Sequence, residues 1–128
     1  MKFLDSFKAT SYGLLRIVTG FMFLFHGAEK LFGVLGAERL SPGSQLWVGG
    51  VIELLGGAAV MLGVRTRRAA FLCSGTMAVA YCQFHWKFAT DAAFFPIVNK
   101  GELAVLYCFV FFFIACTGGG ALSLDKKG

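Results

Sequence analysis

Four apolar stretches, each close to twenty residues long, fill most of a 128-residue chain and leave only short connections between them. They run from Ser11 to Gly33, Gln45 to Val64, Ala69 to Phe88 and Gly101 to Gly118. About 20 helical residues cross the ~30 Å hydrocarbon core of a bilayer, and backbone in lipid must satisfy its own hydrogen bonds, so such stretches are helices. The expected fold class is all-α integral membrane. One domain, 1–128, would form a four-transmembrane-helix bundle, with the lipid membrane as its first partner. A hydrophobic content of 57% and a mean hydropathy of +0.71 place the chain well outside the soluble range.

The net charge of +5 does not point to nucleic acid, because the twelve basic residues are scattered among apolar runs rather than gathered into a stripe. They fit a role in topology instead. Four spans put both termini on one side, with Lys2, Lys8, Arg16, Arg65, Arg67, Arg68, Lys126 and Lys127 there and Lys30, Arg39, Lys87 and Lys100 opposite. The positive-inside rule then makes both termini cytoplasmic and the protein multi-pass. Lys2 and Lys8 precede an apolar run, as in a signal peptide. That run continues through charged residues to Gly36 with no small-x-small exit, so it reads as an uncleaved first span.

Ser41 and Pro42 suit the Ncap and N1 positions of the second span, and RTRR is a tight turn before the third. The connection ATDAAFFPIVNK is apolar enough to lie in the membrane interface or fold back into it. Cys73, Cys82, Cys108 and Cys116 all fall inside apolar segments without CxxC or finger spacing, and read as small buried residues.

Charged groups inside the spans carry the functional signal. FLFHGAEKLFG places His26, Glu29 and Lys30 at i, i+3 and i+4, on one face of the first helix. In the second span, Gly49, Glu53, Gly56 and Gly57 share a face, where small residues would let a neighbouring helix approach and would aim Glu53 into the bundle. At about 1.5 Å per residue, Glu53 lies roughly 2 Å above the midplane, His26 roughly 6 Å, and His85 and Glu102 roughly 10 Å. Arg16 alone is in the inner half. Buried charge in lipid is costly enough that it pairs or lines a cavity, so Arg16, Lys30 and His26 are expected partners for Glu29, Glu53 and Glu102. Asn99 and Glu102, in NKGE, also suit a capping box for the fourth span.

These residues define an outward-facing polar pocket. His26 and Glu53 are its candidate catalytic acid–base pair, and Arg16, Lys30, His85, Asn99, Glu102 and Tyr107 its candidate ligand-binding groups. A di-metal carboxylate site wants Glu-x-x-His on two helices, whereas His26-x-x-Glu29 runs in reverse and occurs once, so no metal is assigned. No haem signature is present, and no covalently bound cofactor is expected. A quinone, or another small molecule with polar groups on an apolar body, suits such a pocket. Three classes of function stay open: a redox-associated protein, a small-molecule or proton-coupled transporter, and an assembly subunit without catalysis of its own. Redox partner proteins and a homo-oligomer are the expected protein partners.

The order and spacing of several short motifs resemble the DoxX family of small bacterial membrane proteins. They are LLR at Leu14 to Arg16, HGxxK at His26 to Lys30, GGxxE at Gly49 to Glu53, GxxTR at Gly63 to Arg67, and FH at Phe84 and His85. NKGELAVLY at Asn99 to Tyr107 and SLD at Ser123 to Asp125 complete the series. The resemblance implies a four-helix membrane bundle and a redox association, in complexes that act on quinones, catechols or thiosulfate. It leaves the reaction open, and thiosulfate oxidation, which goes with an appended periplasmic domain, is not expected of these 128 residues.

Overall fold

A computed structural model describes residues 1–126, all of whose regular elements are helical. A 3₁₀ turn at Lys2–Phe7 leads into α1 (Lys8–Phe32). Next come α2 (Gln45–Leu62) and α3 (Thr66–Ala80), the latter running on without a break into a π-helical turn, Tyr81–Trp86. After a 3₁₀ turn at Ala92–Phe94 and a single helical turn, α4 (Pro96–Asn99), the chain closes with α5 (Glu102–Thr117) and a short tail. Lys127, counted above with the inner basic residues, lies outside the described residues.

Two close helix pairs, α1 with α2 and α3 with α5, are joined mainly through α2 and α3. The first pair is a glycine seam. A Cβ on Gly20 would stand 2.6 Å from Gly57 O, and one on Gly57 would stand 2.6 Å from Leu24 N. One helical heptad away, Gly27 is pressed against Gly50 O and Leu54 N. Spacing of seven on both helices keeps the seam in register, and backbone contact of this kind is how helices pack without a hydrophobic drive between them. On α2 the seam residues are thus Gly50 and Gly57, while Gly56 packs against α3, where an added Cβ would stand 2.5 Å from Cys73 Sγ. Gly49, expected among them, meets nothing within 4 Å; it is one position, or about 100°, away from Gly50 and turns toward a cavity instead.

Between the pairs lies a small apolar core. Phe23 of α1 sits edge-on to Phe111 at 4.6 Å between ring centres and 5.1 Å from Tyr107, and those two rings stack at 5.7 Å. Val60, Cys73, Met77 and Ile114 fill in around them. Outside this core the helices turn large apolar side chains outward on every face. Leu14, Val18 and Phe21 of α1, Leu55 of α2, Phe71 of α3 and Leu106 and Phe109 of α5 are all exposed.

Two helix starts differ from expectation. Ser44, not Ser41, caps α2: its hydroxyl accepts from Trp47 N at 3.2 Å, while Ser41 supplies only a carbonyl to Ser44. The RTRR segment is not all turn, because α3 begins at Thr66 and takes in Arg67 and Arg68. The carboxylate of Asp125 makes that start favourable. It returns from the tail to accept from Arg65 N at 2.6 Å and Thr66 N at 2.9 Å, satisfying donors that a helix start leaves open. At the other ends of α1 and α2, Gly33 (φ 64°) and Gly63 (φ 72°) adopt the left-handed conformation that stops a helix. Of the described helices, Gln45–Leu62 is the one long and apolar enough by itself to cross a bilayer. Glu102–Thr117 is apolar but shorter, at 16 residues.

Candidate functional site

A cavity of about 700 Å³ opens between the two helix pairs in the half of the bundle nearer the α1–α2 connection and α4. Its walls are largely apolar, with Phe23, Ile52, Leu72, Met77, Val79 and Ala104 among them. The polar side chains that reach it are His26 and Lys30 from α1, Gln45 and Glu53 from α2, Thr76 from α3, His85 from the π turn, and Lys100 and Tyr107 from the end of the chain. Five of the eight residues proposed from sequence as catalytic or ligand-binding therefore come together here: His26, Lys30, Glu53, His85 and Tyr107.

Glu53 is the centre of the site. It is 3% exposed, and Lys30 Nζ, whose side chain is 31% exposed, donates to Oε1 at 2.6 Å. Lys30 takes Glu53 rather than its helix neighbour Glu29 because the Gly27–Gly50 contact brings the two helices within a side chain's reach one turn away. The second oxygen, Oε2, is fully buried and has no partner among the described residues. An unpaired buried oxygen costs on the order of 1–3 kcal/mol, more when charged, so an arrangement that keeps one needs an explanation. Glu53 lines the cavity described above.

Around this oxygen the other polar groups are held by their backs. Tyr107, 5% exposed, is fixed by the Phe23 and Phe111 rings, and its hydroxyl makes no hydrogen bond among the described residues. The His26 ring stands edge-on to Tyr107 at 6.0 Å and is half-buried. His85 owes its position to the π turn, whose extra residue per turn shifts the side chains that follow; Nδ1 contacts Asn99 O at 3.3 Å. Gln45 Nε2 donates to Gln83 Oε1 at 2.6 Å, linking the start of α2 to the same turn.

Three sequence candidates do not belong to the cavity. Arg16 is fully buried at the opposite end of the bundle, where all five of its N–H donors meet main-chain oxygens. Nη1 donates to Val60 O and Met61 O at 2.7 Å, Nε to Gly119 O at 2.8 Å, and Nη2 to Leu122 O and Ala121 O at 2.8 and 3.1 Å. It closes the last turn of α2 and ties the tail to it, so it neither pairs with Glu53 nor faces a ligand. Asn99 shapes the loop: Nδ2 donates to Ala93 O at 2.9 Å and Tyr81 OH at 3.0 Å, and Oδ1 accepts from Gly101 N at 2.9 Å. Glu102 is exposed, lines no part of the cavity and makes no capping box, because Asn99 spends its oxygen on Gly101 before the helix begins.

Sequence reasoning passed over Gln45, Thr76 and Lys100, which carry no signal apart from helix ends and polarity. It also left Arg67 and Asp125 without a role. Arg67 donates to Ala115, Cys116 and Thr117 carbonyls and closes α5 as Arg16 closes α2. Asp125 sits outside the spans, and its carboxyl is held below the usual carboxylate range. The causes are the Thr66 hydroxyl, then the Thr66 and Arg65 N–H groups and the Arg16 charge. The hydroxyl stands outside hydrogen-bond geometry, so the two N–H groups are the bonds and the hydroxyl acts as a nearby dipole.

The sequence model of the DoxX family matches residues 12–86, from the turn before Arg16 to the end of the π turn. The chain belongs to the DoxX family. An uncharacterised protein of Haemophilus influenzae is 38% identical over 131 aligned positions, covering 99% of this chain and 97% of its own length. A Bacillus subtilis protein named "Putative oxidoreductase CatD" is 30% identical, covering 88% of this chain and 82% of its own. No solved structure matches. DoxX proteins are membrane-associated, and the matched segment carries Arg16, His26, Lys30, Glu53 and His85, whereas Tyr107 is contributed from beyond it.

Proposed function

We propose that this DoxX protein crosses the bacterial cytoplasmic membrane four times, with both termini inside, and binds a quinone or similar redox-active small molecule in the Glu53 cavity. The outward-turned apolar side chains on α1, α2, α3 and α5 support four spans, since a bundle polar within and apolar without is arranged for lipid. The basic cluster Arg65, Arg67 and Arg68 supports cytoplasmic termini. The likeness to a protein named as an oxidoreductase supports redox chemistry.

One observation carries the ligand reading: Glu53 Oε2, buried and unpartnered, against a 700 Å³ cavity with apolar walls. That volume is within the ~300–1,000 Å³ usual for small-molecule sites. A hydroxyl of a quinol ligand donates to Oε2, while Lys30 Nζ holds Oε1 and orients the carboxyl group toward the ligand. His26 and the Tyr107 hydroxyl meet the ligand from the facing wall, and His85 at the opening passes protons to the outer side. Photoaffinity labelling with an azido-quinone tests this directly. Labelling should map to the cavity helices and fall about tenfold or more in Glu53→Gln and in His26→Ala; equal labelling of both variants and the unaltered protein would sink the assignment.

A further inference from the structure

Given a ligand at Glu53, as proposed above, the cavity's shape decides what else that ligand carries. The α2–α3 boundary is shut at two levels. At one, Gln45 is bonded to Gln83. Deeper, α2 and α3 touch at Gly56, where an added Cβ would stand 2.5 Å from Cys73 Sγ. Between these closures the two helices part. Gly49 on α2 and Gly75 on α3 both line the cavity, and a Cβ on either meets nothing within 4 Å. Val48, Leu72 and Val79, on the same walls, line the cavity and are each about half exposed. The cavity therefore continues sideways through an apolar slot to the surface that faces lipid.

We infer that the ligand is a single-chain amphiphile dissolved in the membrane, which enters between α2 and α3 and leaves its apolar tail in the slot while its polar head reaches Glu53. The head end fits because the Lys30–Glu53 pair lines the cavity, with one Glu53 oxygen unpartnered among the described residues and left for a donor. The tail end fits because the slot walls present aliphatic side chains and two missing ones. About 700 Å³ accommodates a ring with a short length of chain, and a longer chain must leave by this route.

Gly49→Leu and Gly75→Leu, each alone, narrow the slot from opposite walls, and since an added Cβ is free of contact at both, the bundle tolerates them. Binding to the full-length protein in nanodiscs is measured for a decyl-tailed hydroquinone and for the same ring carrying only methyl. The expected result is a loss of about tenfold or more in affinity for the tailed compound in either variant, with the methyl compound within about threefold of the unaltered protein. Unchanged tailed binding in both variants, or equal losses for the two compounds, would overturn the slot. Failure of the unaltered protein to bind either compound would overturn the ligand reading of Glu53 itself, and the slot with it.

Discussion

Arg16 and Glu53 are both almost wholly withdrawn from solvent, at 0% and 3% exposure, yet the two ends of the bundle treat them in opposite ways. Every donor on Arg16 has a carbonyl acceptor, drawn from the end of α2 and from the tail. Glu53 has one oxygen paired and one open, beside a space large enough for a molecule. Burial of charge alone therefore says little about function. The complete guanidinium fork closes a structure, whereas Glu53 leaves one acceptor without a partner among the described residues.

The largest effect should come from breaking the complete side. Arg16→Met leaves five carbonyls short of a partner, at about 1–3 kcal/mol for each that stays buried, a sum comparable with the whole ~5–15 kcal/mol stability of a domain. Little monodisperse protein should survive detergent extraction and size exclusion. Arg16→Lys keeps the charge but not the planar fork, and should recover only part of the yield. A variant that elutes like the unaltered protein would show that the tail clamp is dispensable.

Next in size is the glycine seam. Gly57→Ala forces a Cβ to within 2.6 Å of Leu24 N, and backbone cannot move aside as a side-chain tip can, so a loss of about 1–3 kcal/mol is expected. Gly49→Ala, on the same helix but open to the cavity, should be neutral or stabilising by up to about 1 kcal/mol. Thermal melts of the two variants side by side would settle which wall of α2 bears packing.

Glu53→Gln sharpens the comparison from the other end. Lys30 is 31% exposed, so losing its partner's charge does not strand a fully buried ammonium, and the melting temperature should move by no more than a few degrees, about 1 kcal/mol or less. Ligand affinity should nonetheless fall about tenfold or more. A collapse in stability comparable with Arg16→Met would instead make the Lys30–Glu53 pair a structural element.

Much of this contrast is legible in the sequence, and the illegible part has a common cause. Length and apolarity put the four long segments within about three residues of the helices found, counting the π turn with α3, because apolar runs bounded by charged residues and glycines leave little freedom. Helical depth also places His26, Glu53 and His85 in one half of the spans, and with Lys30 they share one cavity. Depth says nothing about main-chain partners, however. Arg16 is answered by five carbonyls and Asn99 by a carbonyl, an N–H and one tyrosine hydroxyl, and all but the hydroxyl are main-chain groups that no motif marks. Gly49 and Gly50 are adjacent, and spacings of three, four and seven admit either, so only the partner helix decides between them. The π turn that positions His85 breaks the 3.6-residue period without a sequence signature.

The smallest expected effect concerns the clamp's outermost member. Asp125 is half-exposed, and its carboxyl is held below its ordinary value by the Thr66 hydroxyl, the Thr66 and Arg65 N–H groups and Arg16. A carboxyl with a lower value when folded takes up its proton more readily when unfolded. Its contribution is therefore fully present above the ordinary unfolded value near ~3.9 and is lost as pH falls through the lowered folded value. Melts of the detergent-solubilised protein from neutral pH downward should show an acid limb that is shallower in Asp125→Asn, with the difference confined below about pH 4 and reduced by salt, as befits a group near water. Because the same carboxylate starts α3 while Arg16 ends α2, weakening it should also lower the tolerance of Arg16→Lys more than the sum of the two single losses. Strict additivity in that double variant would mean that tail, α2 and α3 are fastened independently rather than by one clamp.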